Sequence, residues 1–84
     1  MRAPTPSPLL LELTRRLKGL REGRKLTLQE VYDATGIHIG RIESNALNVT
    51  ISTLATLCRY YQISLAEILR DIEEVQQQEM PRNP

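Results

Sequence analysis

Cys58 and His38 are each the sole residue of their type in this chain of 84 residues, and that removes most chemistry from consideration. A lone cysteine closes no internal disulfide, and one histidine with one cysteine makes no cluster at metal-ligand spacing. Nucleophilic catalysis needs a nucleophile, a base and a group that orients the base. Here the serines, threonines and carboxylates fall at helix starts and along helix faces instead. Gly19, Gly23, Gly36 and Gly40 are too scattered to form a phosphate-cradling loop. The expectation is therefore no enzyme, no metal and no cofactor. What remains is hydrogen-bond donation by basic side chains. Residues 1–45 hold eight Lys and Arg against five Asp and Glu, a balance of +3, whereas residues 46–84 hold three against five, a balance of −2. That skew suits a polyanionic partner such as DNA, and it equally suits ordinary solvated helix faces.

Donors need a scaffold, and the pattern here is helical. Hydrophobic residues make up 40% of the chain without a single Phe or Trp, so the core must come from Leu, Ile, Val and Ala, as in packed helices. The length suits one domain. Pro4, Pro6 and Pro8 mark residues 1–8 as a flexible leader, with Pro8 able to begin a helix. Leu10, Leu13, Leu17 and Leu20 then recur at helical spacing, with Arg15, Arg16, Lys18 and Arg21 between them, up to a stop near Gly23.

A capping box at Thr27 and Glu30, with Leu26 stapled to Val31, starts a second helix. Similar starts recur at Thr50, with Val49 facing Leu54, and at Ser64, with Glu67 completing a box and Ile63 facing Ile68. The helix after Thr50 carries Ile51, Leu54, Leu57 or Cys58, and Tyr61 inward; the one after Ser64 carries Leu65, Ile68, Leu69, Ile72 and Val75. The domain spans residues 9–75, and residues 76–84 lack an apolar face and read as a disordered tail. No apolar run is long enough for a membrane span or a signal peptide, which predicts a soluble, cytoplasmic protein with no membrane partner. Between the second and fourth helices, Thr35 can cap a third, Ile39 and Ile42 share its buried face, and Asn45 can end it. Gly36 and Gly40 would make that helix intrinsically weak.

A basic first helix, a Leu26-Thr27 start with Glu30-Val31, then Arg41-Ile42-Glu43, Asn48, Thr50 and Ser64-Leu65-Ala66-Glu67-Ile68 come in an order that resembles the lambda-repressor-like, or Cro/XRE, helix-turn-helix family of bacteria and their phages. The resemblance covers roughly residues 13 to 69. It implies an all-α, five-helix domain whose second and third helices form the helix-turn-helix, and a sequence-specific regulator that puts the helix after Thr35 into the major groove of double-stranded DNA. Arg41, His38, Ile37 and Gly36 are then the expected base contacts, Arg41 toward a guanine and Ile37 toward a thymine methyl. Thr27, Gln29, Thr35, Asn45, Asn48, Arg15 and Arg16 are the expected phosphate contacts. Arg21 and Glu43 would form a structural ion pair.

The chain also departs from the family pattern. The interval from Thr27 to Glu43 is shortened, Gly36 and Ile37 replace polar base readers, and Leu28, Ala46 and Leu47 stand where phosphate-binding side chains are common. Binding as a homodimer, through apolar residues such as Leu47, Leu9 or Leu11, would restore affinity. For Leu9 and Leu11 the competing assignment is packing within the monomer or ordinary surface scatter. The departures also open a second function, a helix-turn-helix fold used to bind a partner protein. For Arg41 the alternative is a solvent-exposed or internally paired arginine.

Overall fold

The computed structural model describes residues 7–45 and 49–73, and among them it is helical without strands. Pro8 takes the first position of α1 (Pro8–Gly23), where a missing N–H costs nothing, and the Ser7 hydroxyl accepts from the Leu10 amide at 3.1 Å. Helix thus begins inside the stretch read as leader; residues 1–6, and the tail from residue 74, lie outside the described residues. Leu13 and Leu17 are buried along one face of α1, and Leu9 packs beside them in the same molecule. Lys25, at φ 57°, turns the chain out of α1, and the Leu26 amide donates to the Arg21 carbonyl at 3.1 Å.

α2 (Leu28–Thr35) opens with a complete capping box: the Thr27 hydroxyl accepts from the Glu30 amide at 3.0 Å, and the Glu30 carboxylate accepts from the Thr27 amide at 2.8 Å. Its one buried side chain is Val31. α3 (Ile39–Asn45) buries Ile39 and Ile42. α4 (Ile51–Tyr61) starts at the Thr50 cap and buries Leu54, Leu57, Cys58 and Tyr61, so Leu57 and Cys58 both face inward. Ile51 does not. At 67% exposure it overhangs the core, because the side chain of a helix's first residue leans toward the N-terminus, past the core's edge.

α5 (Leu65–Ile68) is a single turn rather than the longer helix expected through Ile72 and Val75. The Ser64 hydroxyl accepts from the Glu67 amide at 3.0 Å, while the Glu67 carboxylate pairs with Arg70 at 3.0 Å. Asp71, at φ 58°, then redirects the backbone, and Ile72 still reaches the core. Val75 lies outside the described residues. The carbonyls freed by this early stop are taken up from α1: Arg16 Nη1 donates to the Ile68 and Arg70 carbonyls, both at 2.8 Å.

One cluster of buried side chains joins all five helices, with α3 packed on α1 and α2. A helix of seven residues is unstable alone. Burying Ile39 and Ile42 contributes about 1.5–3 kcal/mol each. That outweighs the cost of Gly40 inside the helix, up to about 1 kcal/mol.

Candidate nucleic-acid interface

The junction of α2 and α3 decides which side chains face outward. α2 stops because Gly36 takes the left-handed conformation, at φ 76°, with its amide donating to the Tyr32 carbonyl at 2.7 Å. Thr35 therefore closes α2 instead of capping α3. Its hydroxyl donates to the Val31 carbonyl at 2.7 Å and accepts from the Ile37 amide at 3.1 Å. Gly36 and Ile37 consequently fall in the turn before α3, not in its first turn, and Ile37 packs half-buried against the core. These positions overturn the expectation that Thr35, Gly36 and Ile37 open the recognition helix. Thr-Gly is chemically able to end one helix or begin the next, and the positive φ decides for the ending.

Arg41 and Ser44 are exposed on α3, away from buried Ile39 and Ile42, and His38 is exposed in the turn just before the helix. No described residue pairs with Arg41. The His38 ring stacks on Tyr32 of α2, with centroids 4.4 Å apart and planes inclined by 25°. Leu28 lies over Gly40, where an added Cβ would sit 3.3 Å from Leu28 Cδ1. Leu28, Tyr32, His38, Gly40, Arg41 and Ser44 thus line a shallow cleft of about 560 Å³ between α2 and α3. Tyr32 and Ser44 join the site only through this cleft, and Leu28, which stands in place of a phosphate-binding side chain, forms part of its wall. The available signal was helical spacing: Leu28 and Tyr32 are four residues apart, on the face of α2 that Val31 leaves outward.

The remaining predicted positions differ in how free they are. Thr27 is exposed, but its hydroxyl is engaged in the capping box, and Gln29 Nε2 donates to Asp33 at 2.8 Å. Asn45 ends α3; its side chain, together with Ala46, Leu47 and Asn48, lies outside the described residues. Arg15 is exposed and makes two hydrogen bonds to Glu12, at 3.0 and 2.6 Å. Arg16 bonds the same carboxylate at 2.8 Å while holding the Ile68 and Arg70 carbonyls. Its Nε and Nη1 donors are thus engaged within the fold, whereas Arg15 stays on the surface. The hydrogen bonds from Arg15 and then Arg16 hold the Glu12 carboxyl at about 2, against an ordinary 4.5.

α3 is anchored at its far end. Arg21 Nε and Nη2 donate to the two Glu43 oxygens at 2.8 and 3.0 Å, a bidentate pair whose side chains are only 12% and 7% exposed. Arg21 Nη1 also donates to the Leu26 carbonyl at 2.7 Å, tying α1, the turn before α2 and the end of α3 together. The Glu43 hydrogen bond raises the guanidinium pKa further, keeping its charge fixed. Nearby Tyr61 is fully buried, and burial, with a smaller effect from Glu43, pushes its phenol up to about 12.

No helix among the described residues is long and apolar enough to cross a membrane. Neither a curated protein nor a solved structure matches the chain. A family profile does: the Cro/C1-type HTH DNA-binding domain matches residues 16–74, from the middle of α1 to just past the last described residue. That match covers well over half of the sequence and takes in the whole α2–turn–α3 unit, so the chain belongs to the Cro/C1-type HTH DNA-binding domain family.

Proposed function

We propose that the protein is a sequence-specific transcriptional regulator that reads operator DNA through the major groove with α3. The observation that carries this reading is Arg41: exposed, without a partner among the described residues, and on the helix side opposite the two buried isoleucines. A guanidinium so placed matches the O6 and N7 acceptors of guanine, and His38 supplies a second donor one turn earlier. Thr27, Gln29, Arg15, Asn45 and Asn48 are the proposed backbone contacts, aided by the N-terminus of α2.

So small a reading surface favours a homodimer on two half-sites about one DNA turn apart. Leu11, half exposed on α1, and Leu47 are the candidate apolar contacts. The setting is the cytoplasm of a bacterium, with no enzymatic step. The domain is proposed to begin after the proline-rich leader and to end before the glutamine-rich tail.

A second reading, a helix-turn-helix that docks a partner protein, is favoured by the exposed Leu28 and Tyr32. Titration against duplex fragments from the protein's own upstream region at several salt concentrations separates the two. A steep salt slope with sequence preference is the expected result. Absence of binding at low salt would replace the regulator with the docking module.

A further inference from the structure

The α2–α3 cleft combines two kinds of surface that the regulator reading alone does not explain. One side offers hydrogen-bond donors, Arg41 and His38; the other is apolar, built by Leu28 and the ring of Tyr32, which are 46% and 41% exposed. Leu28 occupies the first position of α2, where its side chain offers a phosphate oxygen no hydrogen bond. Its isobutyl group instead covers Gly40, filling from α2 the outward space that a side chain on α3 would otherwise take. The Tyr32–His38 stack fixes the neighbouring wall of the cleft.

Of the four base edges in the major groove, only that of thymine places a methyl group beside an acceptor. Guanine presents two acceptors with no apolar group, and cytosine and adenine each present an amino donor. From this juxtaposition we infer that Leu28, with Tyr32, forms a thymine-methyl contact adjacent to the base read by Arg41. Leu28 is thus a specificity-determining residue supplied by the helix before the recognition helix. The inference rests on the DNA-reading function proposed above and names one element of its target.

The test removes the methyl group and nothing else. A preferred duplex is selected from randomised sequences, and each thymine in turn is replaced by deoxyuridine while wild-type affinity is measured. One position should weaken binding about fourfold, the value of one buried methyl group. Leu28→Ala, with its thermal midpoint recorded as a check on folding, should weaken binding to the thymine duplex and abolish the deoxyuridine penalty at that position. A selected duplex with no deoxyuridine-sensitive position overturns the inference while leaving the regulator intact, and so does a Leu28→Ala protein that keeps the full penalty. If no duplex is selected over random sequence at any salt concentration, both readings fall, and Leu28 and Tyr32 pass to a protein-docking face.

Discussion

The arginines of α1 and the arginine of α3 have opposite fates. Arg15 and Arg16 close on Glu12, Arg16 goes on to hold two carbonyls at the end of α5, and Arg21 is buried against Glu43. Arg41, by contrast, stands exposed on the outer surface of α3 with no partner among the described residues. All four contribute equally to the basic balance of the first half of the chain. A charge count therefore overstates the DNA-facing surface, because the charges of Arg16 and Arg21 build the scaffold that presents Arg41.

Breaking the buried side of this contrast should have the largest effect. Glu43→Ala leaves the Arg21 guanidinium without its bidentate partner, and the loss in unfolding free energy should be about 3–5 kcal/mol, read by denaturant titration. A change below about 1 kcal/mol would mean that solvent replaces the carboxylate, as it does for surface pairs.

Arg16→Ala comes next. It removes charge-assisted hydrogen bonds to two carbonyls that α5 leaves without helical partners, for a loss of about 1.5–3 kcal/mol in stability. Its DNA-binding salt slope should match that of wild type, because its Nε and Nη1 donors are held within the fold. A slope shallower by about one would restore Arg16 to the phosphate contacts.

Acid acts on the same cluster more gently. The folded-state pKa of Glu12 lies below its ordinary value, so its contribution is present above about pH 4.5 and is lost as the pH falls toward 2. The thermal midpoint should decline across that window, and Glu12→Gln should lower the neutral-pH midpoint slightly and flatten the decline. An unchanged acid profile in the variant would assign the decline to other carboxylates.

Much of the fold was legible because helix starts are local chemistry. Thr27, Thr50 and Ser64 each take an amide three residues ahead, and the apolar spacing that follows marks what is buried. Helix ends were less legible. Thr35-Gly36 is compatible with either end of a helix, and the left-handed backbone at Gln62 falls on a residue without a preference for it. The stop at α5 escaped detection because Leu69 and Ile72 keep helical spacing across a break. The partners that decide Arg16 lie 52 and 54 residues away, and no local pattern signals them. The cover that Leu28 places over Gly40 is likewise tertiary, set by how α2 meets α3.

The central claim is that the exposed arginine of α3 reads sequence while Arg16 and Arg21 of α1 maintain the fold. Arg41→Ala tests it most directly, with affinity measured on the preferred duplex and on a scrambled duplex of equal length, alongside the thermal midpoint. The account predicts a loss of about 1–3 kcal/mol on the preferred duplex, little change on the scrambled one and an unchanged midpoint. Equal losses on both duplexes, or no loss on either, would contradict it.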